Sequence, residues 1–140
     1  MQAALEQRVL ALLQGDATLT ALCPSANMAI GEVWTLPGDA LYPHISVAST
    51  IAGPSGPADD TAFNEYLLTF WCEDKNSRLN ALGISDRIIV LFNRQQKAMS
   101  TVGPPALGVI MCRLLGAPMP IRDPRTEANL VAVQFRVIAS

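Results

Sequence analysis

Charged side chains are scarce in this sequence. Asp, Glu, Lys and Arg make up 16% of its 140 residues, where about 25% is usual for a globular domain. A surface so poor in charge is expected to be covered in part by partners. Long apolar runs are missing too. Runs such as residues 87–92 and 130–133 fall far short of the roughly 20 residues that a membrane-spanning helix needs, so no membrane contact is expected. Glu6 and Arg8 interrupt the first apolar stretch and no basic region precedes it, so no signal peptide is expected there. Cysteine is limited to Cys23, Cys72 and Cys112, an odd and widely spaced set without a CxxC pair. That pattern argues against a disulfide framework and against a zinc site. Reduced, buried thiols are the expectation.

The residue types that carry chemistry are equally thin. No GxGxxG or Walker-type string is present. The nearest glycine-rich stretch, Gly53-Pro54-Ser55-Gly56, has proline where a phosphate cradle needs backbone N–H donors. His44 is the sole histidine, so it alone would have to serve any Ser/His/Asp triad, and it cannot anchor a metal by itself. It reads as a surface or half-buried structural residue that function can spare. Asp59-Asp60 could meet a cation in principle, but adjacent acids in a Gly/Pro loop read first as solvating charge. A sequence pI near 5.2 lacks the basic footprint of a nucleic-acid-binding domain. Arg122, Arg125 and Arg136 could still form a local patch. Without interleaved aromatics they read as interface anchors or solvated charges. Trp34, Trp71 and Tyr66 read as core. No catalytic residue, cofactor or metal site is assigned, and a non-enzymatic protein is expected.

What is present is a separation of charge. Residues 1–74 hold one base, Arg8, against nine acids, and residues 75–140 hold nine bases against three acids. Either the halves intermingle in the fold and the dipole vanishes, or an acidic face meets a neighbour's basic face. In the second case the tentative contact residues are Asp59, Asp60, Arg122, Arg125 and Arg136, and head-to-tail contacts of this kind close into rings.

The apolar spacing predicts elements along the whole chain. Leu5, Val9, Leu12 and Leu13 form one helical stripe over residues 2–14. Gly15 is expected to stop that helix in the left-handed conformation, and Asp16 to cap a short one over 17–22 with Leu19 and Leu22 buried. Strands are predicted at 28–34, 44–51, 65–72, 107–115 and 129–138. The strand at 65–72 has apolar bulk on both faces and should be central. A long helix at 77–92, capped by Asp74 or Asn76, should lie across one face of the sheet. Residues 53–62, 95–106 and 116–128 read as loops. The order α-α-β-β-β-α-β-β favours an α+β fold, mainly an antiparallel sheet with the long helix on one face and a helical N-terminus, in one domain over 1–140.

Several of these strings together resemble the tail terminator family of long-tailed bacteriophages, also called tail-completion or tail-to-head joining proteins. They are Asp16-Ala17-Thr18-Leu19-Thr20-Ala21-Leu22 after an amphipathic helix, and Leu36-Pro37 leading into Leu41-Tyr42-Pro43-His44-Ile45-Ser46-Val47. Next come Tyr66-Leu67-Leu68-Thr69-Phe70-Trp71-Cys72 before a capped helix, Arg122-Asp123-Pro124-Arg125-Thr126-Glu127, and Val133-Gln134-Phe135-Arg136-Val137. The resemblance runs over nearly the whole chain and carries over no catalytic or ligand residue. It implies a virion protein, made in the host cytoplasm, that forms a ring expected to hold six subunits. The ring would cap the tail tube, end tail polymerisation and join the head connector. Its partners would be copies of itself, the tail tube protein and a head-completion protein, with DNA passing through the ring without specific binding. A head-closure or other neck protein is the nearest alternative. A small bacterial ligand-binding or enzymatic α+β domain is the alternative from another class.

Overall fold

In a computed structural model the described residues are 2–32, 41–55, 63–103 and 106–140. The chain opens with two helices, α1 (Gln2–Gly15) and α2 (Ala17–Leu22). Leu5, Val9 and Leu13 of α1 are fully buried, as their spacing requires, and Leu12 packs at the edge of the core. Gly15 is the last residue of α1 and does not adopt the left-handed conformation expected of it. Asp16 makes the break instead. Its backbone is extended and its side chain accepts from Leu19 N at 2.9 Å, the N-cap that starts α2. Leu19 is buried and Leu22 only half-buried.

Strand β1 (Met28–Ile30) is short, and Trp34 of the longer predicted strand lies outside the described residues. β2 (His44–Ser55) and β3 (Phe63–Asp74) are each 12 residues long and pair antiparallel in register from His44–Glu73 to Ser55–Phe63. Of the expected loop at 53–62, residues 53–55 belong to the strand, and residues 56–62 lie outside the described residues. α3 (Arg78–Phe92) follows at once. Ser77 caps it, accepting from Asn80 N, and not Asp74 or Asn76. Asp74 is buried, and its carboxylate takes hydrogen bonds from Asn76 N and Asn80 Nδ2.

Two segments expected to be loops hold structure. Residues 95–106 contain the one-turn helix α4 (Gln96–Met99) and a bridge between Thr101 and Leu107, tied down by the burial of Met99. Residues 116–128 contain β5 (Met119–Arg122). β4 (Val109–Leu114) and β5 lie end to end along the same side of β6 (Asn129–Ala139). β4 pairs with residues 135–139 of β6 and β5 with 129–132. Gly116, at φ +68, takes the left-handed conformation in the bend between them.

The described strands form one six-stranded sheet in the order β1-β2-β3-β6-β4, with β5 also on β6. Every pairing is antiparallel except β1 with β2. The fold is α+β, as expected. The helices pack on one face, α1 against β1 and β2, α3 against β3 and β6, and α4 against β4. At the centre, Phe70, Phe92 and Phe135 meet with ring centroids 5.0 to 6.2 Å apart, joining β3, α3 and β6. All three rings are fully buried, and edge-on aromatic contacts add to the area they remove from water.

Charges from the two halves of the sequence meet within the chain. Arg87 of α3 holds Asp16 through two bonds of 2.8 and 2.9 Å. Arg136 of β6 pairs with Glu65 of β3. The first of these also fixes a carboxylate at the N-terminus of α2.

Replacing Phe135 by Ala should open a cavity between α3 and the sheet and cost about 3–5 kcal/mol, measurable as a lower midpoint in denaturant. The Asp16 carboxyl is held below its ordinary value, first by its bonds from Arg87 and then by the Leu19 amide, with burial opposing both. A depressed carboxylate stabilises the fold above its unfolded value and stops doing so as the pH falls through its folded value. Asp16→Asn keeps a capping oxygen and loses the charge. Its destabilisation relative to wild type should be full above about pH 5 and shrink steadily in more acid solution. A gap in thermal midpoint that is constant with pH would show that the charge contributes nothing.

Candidate functional site

The end of the sheet where β3 finishes and β6 begins collects most of the polar residues that sequence alone leaves unexplained. His44 is not at the surface. It is 4% exposed, lies under the ring of Tyr42 at 5.0 Å, and faces its cross-strand partner Glu73, which is fully buried. His44 Nε2 stands 3.1 Å from Glu73 Oε2, within ion-pair distance but without hydrogen-bond alignment. Glu73 Oε1 accepts from Thr126 Oγ1 at 2.7 Å. Asp123, 6% exposed, closes the cluster. Burial works to raise its carboxyl. The Arg125 amide, Glu73, the Arg125 charge and Thr126 outweigh burial, so it stays below its ordinary value.

Ser46, His44 and Glu73 are the residue types of a hydrolytic triad, but their geometry does not make one. A nucleophile must hydrogen-bond to its base. Ser46 Oγ and His44 Nδ1 are both buried without a hydrogen-bond partner, and Ser46 has no exposed surface. The cluster instead ties the β5–β6 connection to β2 and β3. His44 therefore has a packing role, beside the buried Glu73 carboxylate. Among the described residues no three His, Cys, Asp or Glu side chains are grouped to hold a metal ion.

Beside this cluster lies a cleft of about 280 Å³, near the lower end of the roughly 300–1,000 Å³ of small-molecule pockets. It is lined by Arg78 at the start of α3, by Pro120, Ile121 and Arg122 of β5, and by Asn129, Leu130 and Val131 of β6. All four residues of β5 are exposed. The lining thus combines two arginines, one of them engaged with Glu127, with apolar residues of β5 and β6.

The five tentative contact residues separate. Arg122 ends β5, its Nε donating to Glu127 O at 3.2 Å and its Nη2 3.8 Å from the Glu127 carboxylate. Arg125 sits in the following turn, where its amide donates to Asp123 at 2.9 Å and its guanidinium lies 3.7 Å from the same carboxylate. Arg136 is elsewhere, opposite Leu67 in the middle of the sheet, and its Nη2 donates to Glu65 at 3.1 Å. Asp59 and Asp60 lie outside the described residues. Sequence reasoning passed over Arg78, Glu73 and Asp123. Only the register of β2 against β3 brings Glu73 to His44.

The three cysteines are buried, as expected, and each thiol is pushed up chiefly by that burial, Cys23 and Cys112 to about 12 and Cys72 further.

No family model matches the sequence, and no curated protein matches it significantly. Among solved structures, a chain from the virion of a native gene transfer agent particle is similar. Its TM-score is 0.73 at 15% identity, over 99% of this chain and 93% of that chain. At that identity the likeness is one of fold, and it extends from the helical N-terminus through the last strand.

The raised thiol values carry a direct expectation. A maleimide reagent at neutral pH should leave all three cysteines unlabelled in the folded protein and label all three in denaturant, because the thiolate is the reactive species. Rapid labelling of the native protein, read by intact mass, would contradict the burial of these side chains.

Proposed function

We propose that this chain is a structural subunit of a phage-like virion, and that it forms a ring which ends the tail tube and joins it to the head. The observation that carries this reading is the fold likeness to a chain of the gene transfer agent virion, which spans nearly the full length of both chains. The reading is also supported by what the polar groups do. The buried His44, Glu73 and Asp123 brace one end of the sheet, while the exposed basic residues stand at its rim. Such a layout suits contacts with other proteins. An overall acidic balance suits a channel that DNA must traverse, because phosphate affinity rises with each cation engaged.

The ring joins the tail to the head connector in this reading, so its partners are the tail tube protein below, the head-completion protein above, and further copies of itself at each side. The test is to delete the coding sequence from a producing strain and image the particles. Loss of a protein that ends polymerisation should give tubes of uncontrolled length, unattached to filled heads. Tails of normal length beside leaking heads would assign the chain to head closure instead. Normal infectious particles would remove it from the virion pathway altogether.

A further inference from the structure

We infer that the open face of the sheet along β4 and β5 is the receiving half of a contact between copies, and that its occupant is the outer side of α3 from a second copy, with Asp86 set on Arg113. The inference rests on the ring reading above and names the surfaces that would build such a ring.

The helices cover one face of the sheet, and the strand register fixes what the other face carries. On β6 the side chains that alternate with the buried Val133, Phe135 and Val137 are Ala132, Gln134, Arg136 and Ile138. Beside them run Met111 and Arg113 of β4, opposite Ile138 and Arg136, and Met119 of β5, opposite Ala132. Leu115 continues the row between them, its amide donating to Gln134 O at 2.8 Å. Leu115 and Met119 are exposed, Met111 is half-buried, and Arg113 is the exposed charge among them. Arg113 stands directly across from Arg136, a like-charge placement that costs stability. Glu65 neutralises Arg136. Among the described residues no carboxylate pairs with Arg113. An apolar row with one unanswered cation suits an apolar partner that carries an acid.

α3 carries that combination on its uncovered side. Ala81, Ile84, Ile88 and Phe92 are buried toward the sheet, while Leu79, Asp86 and Val90 are exposed. At 3.6 residues per turn these three fall within about 40° of one another around the helix. Leu79 is 81% exposed and Val90 59%, a large apolar area left in water on a helix that is otherwise packed. Asp86, between them, has no ion pair among the described residues, and the neighbouring Arg87 is taken by Asp16. The spacings also agree. Along the helix Val90 lies about 6 Å from Asp86 on one side and Leu79 about 10 Å away on the other. Along the sheet Met111 lies about 7 Å from Arg113 on one side, with Leu115 about 7 Å and Met119 about 13 Å away on the other. With Asp86 on Arg113, Val90 meets Met111 and Leu79 falls between Leu115 and Met119. α3 and the Arg113 side chain lie on opposite sides of the sheet, so one chain cannot make this contact with itself. Two copies make it through different patches. The contact is therefore heterologous, and repetition closes a ring when the rotation per copy allows it.

The experiment begins with native mass spectrometry and light scattering of the wild-type protein, alone and with tail tubes. Asp86→Arg and, separately, Arg113→Asp should each weaken self-association about tenfold or more. Both side chains are exposed, so the circular dichroism spectrum should not change. The protein carrying both changes should regain assembly, because the charges are exchanged and the pairing is kept. A second measurement mixes a Leu79→Cys protein with a Met119→Cys protein, and a bismaleimide should give a crosslinked dimer in the mixture and in neither alone. The buried native thiols leave the introduced ones as the reactive pair. A wild-type ring that both reversals leave intact, with no crosslink in the cysteine mixture, would overturn this contact and leave ring formation standing. Reversals that weaken assembly without recovery in the combined protein and without the crosslink would also overturn it. A wild-type protein that stays monomeric even on tail tubes would overturn the ring reading and this contact together.

Discussion

The rest of the structure depends on the pairing of β3 between β2 and β6. Phe63–Asp74 is hydrogen-bonded on both sides along almost its whole length, to Ser55–His44 on one and to Ala139–Asn129 on the other. A strand held on two edges has its register fixed twice over, and a one-residue slip would turn Tyr66, Leu68, Phe70 and Cys72 away from the helices. From that register the other positions follow. Phe70 meets Phe135 across the sheet and Phe92 above it. Glu73 is placed against His44, and Asp74 beside the start of α3.

The polar end of the sheet is a consequence of the same constraint. β3 ends on two acids, and α3 begins four residues later, so Glu73 and Asp74 are carried into the protein with the last turn of apolar packing. Buried carboxylates need donors. Thr126, Asn76 and Asn80 supply them, with His44 adjacent. Drawing the acids inward leaves the arginines at the surface, and a cationic rim appears on a protein whose overall charge is negative. Composition alone hides that rim, because it counts buried and exposed charges alike.

The elements that could be read from the sequence are those whose packing repeats. α1, α3, β3 and β6 each bury a full stripe or face, and their positions follow from the spacing of Leu5, Val9 and Leu13, of Ala81, Ile84 and Ile88, or of Val131, Val133, Phe135 and Val137. β5 buries nothing, so Met-Pro-Ile-Arg has no alternation to read, and only its partner β6 makes it a strand. α4 is a single turn held by Met99. The cap of α3 was missed by one residue or three because Asp74 and Ser77 are both good caps. What decides between them is that Asp74 is occupied elsewhere, a tertiary fact. The candidate site was less legible still. Arg122 and Arg125 could be singled out as a pair close in sequence, but Arg78 is over forty residues away from them and joins only through the placement of α3 against β6. Arg136 is set apart from the others by Glu65, two residues along β3 from its cross-strand partner Leu67, and nothing in the sequence pairs the two.

The division of charge between the halves of the sequence is therefore partly cancelled and partly kept. Arg87 with Asp16 and Arg136 with Glu65 are the cancelled part, each joining an acid from the first half to a base from the second. Neither pair involves the cleft beside β5. Charges that can be neutralised within the fold are neutralised where strands and helices adjoin. Lys75, Arg78 and Arg122 remain exposed at the end of the sheet where Glu73, Asp74 and Asp123 are buried, so the surface there is basic although the chain as a whole is acidic. A charge that composition averages away is kept where other molecules can meet it.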